Sequence, residues 1–474
     1  MATRWEMMLL AAVLLGQGVG VCLAQAAYDQ DALDPAYNMW QRHIINKSPT
    51  AGPANSLRIQ VDEMLNGVNT QATKEFMEKY VNTILAPHFT QLANVVKPAD
   101  GNRNLVDSTL LKGMRRDLAN SYLKVVAAQG DVDAMARARE LFNQALVNRF
   151  SQIAINRDAA NQIKNYHPLA RLNATIILAE LNDEMKKIPY PGALQRLYLL
   201  ASPIKVPNTP PILRITAMNG VIRQAQVNKL PPKGVEAILT DVIAPYLSNP
   251  QPPADMATEA VGYDWLRRRA LELAVTLESK TPGSIPKLAD WAKALVKEET
   301  ASLELRIEAI EALAAMKELP ATVAPDEFAK DIGLVAVAAI KRDLAYLEDL
   351  PYPPDTDEAL KNELTRLQAA LKTLEKKTGQ AAAIQSQLQA LVKVCETKWF
   401  STKTRDPEYL IKSLREGGVK LDKSITGKDQ SDLLPKFVSV PKGTFSPGST
   451  SGGGGGSRGP SPYGRGPIGP RGGR

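Results

Sequence analysis

The sequence contains few of the residues that build metal centres and disulfide frameworks. It has two cysteines and three histidines in 474 residues. Cys22 lies in the apolar N-terminal stretch, so a chain that loses this stretch keeps only Cys395 and forms no intrachain disulfide. The histidines (His43, His88 and His167) share no ligand spacing, and we expect His88 and His167 to cap helices or lie at the surface. We therefore expect no metal site and no cofactor, and folding must depend on packing.

Motifs for catalysis are also missing. The sequence contains no HExxH, no paired CxxC and no G-x-S-x-G. Asp131-Val132-Asp133 resembles the beginning of a calcium loop, but Phe142 occupies the position of the bidentate glutamate, so Asp131 is predicted to cap a helix. We therefore expect a protein that is not an enzyme.

Aromatic residues are scarce, and so are β-branched runs with a period of two. Aromatic residues make up 5% of the chain, whereas alanine and leucine are frequent. Small and unbranched side chains favour helices and allow them to pack closely. The sequence therefore predicts an all-α fold.

The N-terminus has the pattern of a secretory signal. Arg4 precedes an unbroken apolar run from Met7 to Leu15, and Ala24-Gln25-Ala26 places small residues at the two positions that signal peptidase reads. We predict cleavage before Ala27 and export to a periplasmic or extracellular location. An uncleaved membrane anchor is the alternative.

The most informative pattern is a helical phrase, Arg-x-x-Ala, with apolar residues one position before and seven positions after the arginine. These three positions are four apart and share a helix face. The arginines are separated by 43, 53 and 39 residues, and a weaker copy precedes them at Arg116 and Ala119. The alanine is predicted to allow close helix approach, and the arginine to pack at the flank. The four pairs are Arg171 and Ala174, Arg214 and Ala217, Arg267 and Ala270, and Arg306 and Ala309.

Proline-rich connectors separate these helices from partner helices predicted at about Gly192–Ala201, Val235–Leu247 and Pro286–Glu298. The intervals are close to the roughly 40–47 residues of HEAT and armadillo repeats. The segments 167–181 and 302–313 resemble the second helix of a HEAT repeat. This resemblance implies an α-solenoid of helical hairpins. The aspartate that often precedes the HEAT arginine by six residues is replaced here by Asn165, Asn208, Val261 and Thr300, so no ladder of that kind is expected.

Beyond residue 320 the pattern changes to longer helices. Leucines follow a 4-3-4-3 spacing from Leu360 to Leu374, and Ile384, Leu388, Leu391 and Cys395 continue it after Gly379. This coiled-coil-like pattern favours an antiparallel helical hairpin packed on the array, and an intermolecular coiled coil is the alternative. Cys395 is predicted to be buried, or to form an intermolecular disulfide in the alternative. One short helix is expected at about Pro407–Arg415.

The C-terminal tail is glycine-rich and basic. From Gly443 onward 13 of 32 residues are glycine, and no acidic residue follows Asp432. Six of the eight net positive charges lie in 436–474, so the helical body is nearly neutral and nucleic acid is not a favoured partner. We predict a disordered tail. Behind a secretion signal, its arginines would contact an anionic envelope polymer or a membrane surface. These arginines are Arg458, Arg465, Arg471 and Arg474.

The sequence thus predicts an exported helical-repeat scaffold that binds a protein partner along the face of the solenoid, with a basic tail for weak electrostatic tethering. A structural homo-oligomer assembled through the 358–398 helices is the alternative. The predicted segments are a signal peptide (1–26), a linker or loosely held arm (27–52), the HEAT-like domain (53–320), the helical hairpin or coiled-coil segment (321–400), a mixed polar segment with one short helix (401–442) and the tail (443–474).

Overall fold

A computed structural model describes part of the chain. The described residues are 28–32, 53–91, 96–97, 105–106, 109–120, 129–252, 260–316, 323–350, 356–375, 378–396 and 409–427. All of them belong to a compact unit, Met1–Leu434. The predicted signal peptide (1–26), most of the predicted linker (27–52) and the tail (443–474) lie outside the described residues.

The described chain is mostly helical, which confirms the predicted all-α class. In the N-terminal half the helices are α1 (Pro53–Leu65), α2 (Lys74–Tyr80), a π-helical turn (Val81–Leu85), α3 (Ala86–Thr90), α4 (Thr109–Leu118), α5 (Val132–Ala154), α6 (Pro168–Glu180), a 3-10 turn (Pro191–Ala193), α7 (Leu194–Ala201) and α8 (Pro211–Val227). Two short antiparallel pairs accompany them: β1 (Val96–Lys97) with β2 (Leu105–Val106), and β3 (Asn182–Asp183) with β4 (Ile188–Pro189).

The C-terminal half is also built from helices. They are α9 (Pro232–Ile238), a second π-helical turn (Leu239–Ile243), α10 (Ala244–Leu247), α11 (Ala260–Lys280), α12 (Leu288–Lys297), α13 (Leu303–Ala314), α14 (Pro325–Glu348), α15 (Glu358–Lys372), α16 (Gly379–Glu396) and α17 (Tyr409–Thr426). In the part of the chain that the structure describes, no helix is both long enough and apolar enough to cross a bilayer.

Local chemistry explains where several helices begin. Asp131 caps α5, as predicted, by accepting a hydrogen bond from the Ala134 N–H at 2.9 Å. Asp357 caps α15 through the Leu360 N–H at 2.9 Å. Such caps satisfy amides that have no partner within the helix. Five other α-helices begin with proline, whose fixed φ and missing N–H suit the first helical position. These prolines are Pro53, Pro168, Pro211, Pro232 and Pro325.

The four helices that carry the Arg-x-x-Ala phrase contact one another in chain order. Helix α6 packs on α8, α8 on α11, and α11 on α13. Partner helices also contact them: α7 packs on α8, α10 on α11, and α12 on both α11 and α13. Each phrase helix is therefore covered by neighbours on more than one side, and its apolar residues join one continuous core.

The last four helices pack together. Helix α14 contacts α15, α16 and α17, and α15 also contacts α13. Helices α15 and α16 run antiparallel, since the Asp357 N–H at the start of one donates to the Cys395 carbonyl near the end of the other at 3.3 Å. The predicted seam residues are at most 1% exposed. They are Leu360, Leu364, Leu367, Leu371, Leu374, Ile384, Leu388, Leu391 and Cys395.

The helix expected at Pro407–Arg415 is longer than predicted. Helix α17 runs from Tyr409 to Thr426 and includes Gly417-Gly418. A Cβ at position 417 would lie 2.5 Å from Leu391 Cδ2, so this glycine lets α17 approach α16 closely. Packing against α14 and α16 sustains a helix that composition alone disfavours.

The π-helical turns Val81–Leu85 and Leu239–Ile243 each precede an Ala-Pro pair. Val81–Leu85 is followed by Ala86-Pro87, and Leu239–Ile243 by Ala244-Pro245. Proline has no amide hydrogen, and its ring clashes with the preceding turn of an α-helix. A wider turn accommodates that ring. The single helix predicted at Val235–Leu247 is therefore interrupted by π geometry at Leu239–Ile243.

We predict opposite effects for two glycine-to-alanine substitutions. In Gly220→Ala, the new methyl would lie 3.0 Å from the Ala179 Cα on α6, and overpacking should destabilise the protein by about 1–3 kcal/mol. Gly113→Ala on α4 meets no atom within 4 Å and should stabilise it by about 0.5–1 kcal/mol through helix propensity. Thermal unfolding followed by circular dichroism measures both, and equal shifts in Tm would contradict the close approach of α6 and α8.

Candidate partner-binding site

The alanines of the four phrases lie in the core. Ala174, Ala217, Ala270 and Ala309 are each 0% exposed. The apolar residues one position before and seven positions after each arginine are at most 1% exposed. They are Ala170, Leu178, Leu213, Val221, Leu266, Ala274, Leu305 and Leu313. These positions therefore act in helix packing.

The arginines of the phrases bind groups at the ends of neighbouring elements. Arg171 Nε donates to the Ala154 carbonyl at 3.0 Å, and Arg306 Nε to the Val296 carbonyl at 3.0 Å. Both acceptors lie at the C-terminal end of the helix that precedes the arginine, where carbonyls lack an intrahelical partner. Arg214, 4% exposed, donates to the Pro207 carbonyl in the connector before α8.

Arg267 uses a carboxylate instead of a carbonyl. Its two terminal nitrogens donate to Glu298 Oε1 and Oε2 at 2.7 and 2.6 Å, just beyond α12. This guanidinium is 2% exposed. The four arginines thus have separate local partners, and the structure does not bring them together as one ligand-binding row.

The weaker copy of the phrase lies in a different environment. Arg116 on α4 has a side chain that is 74% exposed, and Ala119 is exposed beyond the end of α4. The tail residues Arg458, Arg465, Arg471 and Arg474 lie outside the described residues.

Ion pairs do link neighbouring helices, but they use residues other than those of the HEAT pattern. Arg268 on α11 pairs with Glu308 on α13, with Nε 3.0 Å from Oε1. Arg366 on α15 holds Glu311 on α13 in a bidentate pair at 2.7 and 2.6 Å. Such partly exposed pairs contribute little stability individually, and their fixed geometry sets helix register.

A polar cavity of about 270 Å³ lies between α5 and the β3–β4 hairpin. Asn143, 6% exposed, donates through Nδ2 to the Asn182 carbonyl at 3.2 Å. Its Oδ1 atom is buried without a hydrogen-bond partner among the described residues. The lining comprises Ala136, Arg139, Glu140, Phe142, Asn143, Asn182, Asp183, Glu184, Met185 and Lys186.

The hairpin that closes the cavity is held by polar contacts. Arg223 on α8 donates to Asn182 Oδ1 and, at 3.0 Å, to the Ala179 carbonyl. Asn182 Nδ2 donates in turn to Glu184 Oε1 at 2.7 Å. Tyr190, immediately after the hairpin, donates to Glu140 Oε1 at 2.7 Å, and burial together with this bond raises the pKa of the Tyr190 hydroxyl. The cavity walls are therefore preorganised.

The lining is rich in acceptors. Glu140, Asp183 and Glu184 supply three carboxylates against two cations, Arg139 and Lys186. Lys186 lies 3.0 Å from Asp183, which raises the pKa of the ammonium. The cavity is smaller than the roughly 300–1,000 Å³ of typical small-molecule sites. It suits one side chain that donates hydrogen bonds, and its ten lining residues include no serine, threonine, cysteine or histidine to act as a nucleophile.

Sequence reasoning missed this cavity. Its hairpin comes from Asn182–Pro189, where the proline-ended segment reads as a connector. One signal in the sequence could have indicated it. Arg139 and Asn143 are polar residues four positions apart on the apolar face of α5, and buried polar residues need partners.

Two histidines occupy different environments. His167 caps α6, because its Nδ1 accepts the Leu169 N–H at 3.2 Å. His88 is not at the surface, since it is 1% exposed within α3, and burial lowers its pKa to about 4. Among the residues that the structure describes, no three His, Cys, Asp or Glu side chains group as metal ligands.

Cys395 is buried, as predicted. Burial, with the nearby carboxyls of Asp357 and Asp343, raises the pKa of its thiol to about 12. The thiol therefore stays protonated at neutral pH and is a poor nucleophile.

Comparison with protein-family models, with curated proteins and with solved structures gives no match for this chain.

We predict that Arg267 stabilises the array and that Arg116 does not. Arg267→Met leaves Glu298 without its bidentate partner and should cost about 3 kcal/mol of unfolding free energy. Arg116→Met makes the same change at an exposed site and should stay within about 0.5 kcal/mol. Denaturant unfolding followed by circular dichroism measures both, and equal midpoints would rule out the structural role of Arg267.

Proposed function

We propose that this chain is an exported, non-enzymatic helical-repeat scaffold of the HEAT or armadillo type, and that it binds a protein partner. The basic tail adds weak electrostatic tethering to an anionic envelope polymer or membrane surface. This proposal joins a repeat architecture to a small polar cavity beside it.

The observation that carries the proposal is the order of helix contacts. Helices α6, α8, α11 and α13 touch one another in chain order, and each has a partner helix. This order is expected when repeat units stack so that each contacts its neighbours. Stacked repeats generate extended surfaces, which such proteins use to bind other proteins.

The cavity between α5 and the hairpin supplies an anchor point. Its free acceptor on Asn143 and its excess of carboxylates favour a side chain with N–H donors, such as lysine or an amide. A buried pocket filled by one side chain is a common centre of binding energy in protein interfaces. We therefore propose that the partner inserts a donor side chain here.

The alternative, a homo-oligomer formed through the 358–398 helices, has less support. The seam residues that would form its interface pack within this chain against α14 and α17. Cys395, the residue that would bridge two copies, is 0% exposed. An oligomer through this seam would require the last four helices to separate.

We expect partner binding to depend on the charge of Glu184. Glu184→Gln keeps the acceptor for Asn182 and removes one negative charge from the cavity, which should weaken binding of a cationic side chain about tenfold, or 1.4 kcal/mol. Affinity capture of the mature protein from envelope extract identifies the partner, and titration with the purified partner measures the change.

Glu236→Gln on α9 is the matched control, because it removes the same charge from an exposed residue. Equal loss of affinity in the two variants would argue against the cavity as the anchor. A large mass in light scattering of the full mature chain, unaffected by either variant, would favour the oligomer.

The tail makes a separate prediction. Replacing Arg458, Arg465, Arg471 and Arg474 with glutamine should weaken retention on anionic vesicles at low salt and leave partner binding intact, because it removes four of the positive charges in 436–474. Retention of the unsubstituted protein should fall as salt rises, since salt screens such exposed attractions. Vesicle co-sedimentation across a salt series measures retention, and a variant with four tail serines changed to glutamine controls for composition. Equal retention of the two variants would reject the tethering role.

A further inference from the structure

A short N-terminal segment binds to the helical body at residues far from it in sequence. Residues 28–32 come before the described helices, yet Asp31 forms an ion pair with Arg149 on α5. Arg149 is 1% exposed, and its partner carboxylate is 12% exposed. A guanidinium buried this fully needs a counter-charge, because an unpaired buried charge is strongly unfavourable. Asp31 supplies that charge across a separation of 118 residues.

A second buried group, the Tyr166 hydroxyl, binds the same carboxylate. The Tyr166 hydroxyl donates to Asp31 Oδ1 at 2.5 Å and accepts from Arg149 Nη2 at 3.2 Å. Arg149 Nη1 also donates to the Arg157 carbonyl at 3.1 Å, which fixes the guanidinium in place. Each oxygen of the Asp31 carboxylate thus has its own donor on the body, and this arrangement selects a carboxylate over an amide.

The main chain of the segment is bound as an extended strand would be. The Asp31 N–H donates to Thr90 Oγ1 at 3.0 Å, and the Asp31 carbonyl accepts from Gln91 Nε2 at 2.8 Å. Two residues earlier, the Asp29 N–H donates to the Asn165 carbonyl at 2.9 Å. Bonds at alternate residues are characteristic of extended peptide recognition.

The side chains of Asp29 and Tyr28 add specificity. Asp29 Oδ2 accepts from the Asn165 N–H at 2.7 Å. The Tyr28 ring meets the His167 ring edge-on at 4.7 Å between centroids. The binding groove is formed by Thr90, Gln91, Arg149 and Asn165–His167, which come from three separate parts of the chain. It reads the pattern Tyr-Asp-x-Asp.

We propose that this groove is a recognition site for an extended acidic segment, and that the N-terminal arm (residues 28–32) occupies it as an exchangeable ligand within the same chain. The predicted cleavage before Ala27 would make Tyr28 the second residue of the mature protein, so the arm would be a mature N-terminus. A separate peptide with the same aromatic-Asp-x-Asp pattern takes the same site once the tether is cut. The inference does not depend on the scaffold proposal, since the probe is the chain's own sequence.

The experiment has to account for the covalent connection between the arm and the body. A segment that belongs to the same chain as its site competes at a high effective concentration, on the order of millimolar. A recognition sequence for a specific protease, inserted after Thr50 in the full chain, allows the protein to fold first and to be cut afterwards. A fluorescent peptide of residues 27–36 is then added in excess, and its anisotropy is measured with cut and uncut protein.

We expect the peptide to bind the cut protein and to bind the uncut protein at least about 100-fold more weakly, because the tethered arm excludes it. An Asp31→Asn peptide should bind the cut protein at least about tenfold more weakly, since it loses the charge that Arg149 reads. An Asp34→Asn peptide loses the same charge at another position and should bind like the original peptide. Placing the substitutions in the peptide leaves the folded body unchanged.

Three results would overturn the inference. Equal binding of the peptide to cut and uncut protein would place it elsewhere on the surface. Equal loss of affinity by the two substituted peptides would leave only a nonspecific charge effect. If the cut protein never bound the peptide, the arm would be a fixed part of the fold and not a ligand.

Discussion

The structure depends on the close approach of helices at four alanine positions. Ala174, Ala217, Ala270 and Ala309 have no exposed surface, and the helices that carry them contact one another in order. A larger side chain at any of these points would push two neighbouring helices apart at once, because interiors are packed without room for extra methylenes. The same constraint explains why α8 has a glycine, Gly220, at the point where it faces Ala179 of α6.

The arginines of the phrases bind backbone carbonyls that have no partner within a helix, or a carboxylate near a helix end. In three of the four phrases it donates to a carbonyl at the end of a helix or in a connector, and in the fourth, Arg267, it holds a carboxylate just beyond a helix. The partner differs in each case because the connectors differ in length and composition. The arginine therefore occupies the same position in each phrase, whereas its acceptor does not. This explains why the intervals between the arginines can vary from 43 to 53 to 39 residues.

The sequence carries enough information for the helical class, for most helix positions and for the buried seam from Leu360 to Cys395, since apolar spacing reports which face packs. Two helix boundaries were harder. Helix α17 continues past Gly417 because tertiary packing overrides propensity, and Val235–Leu247 changes geometry because of Pro245, two residues from its end. The cavity and the N-terminal groove could not be predicted at all. Each joins residues distant in sequence, such as Asp31 with Arg149, and no periodicity reports contacts of that kind.

The paired π-helical turns have a consequence for how this chain tolerates length changes. A π turn holds one residue more than an α turn, so each Ala-Pro site amounts to an absorbed single-residue insertion. The aligned stretches 81–89 and 239–247 place His88 and Tyr246 at equivalent positions, and both are buried. Removing one residue from either π turn would therefore restore α geometry and leave the residues after it on nearly the same face, whereas a deletion from a regular α turn would rotate everything after it by about 100°. His88 and Tyr246 would then stay turned toward the core, so these two turns are the places where the chain can lose a residue without re-aiming the side chains that follow.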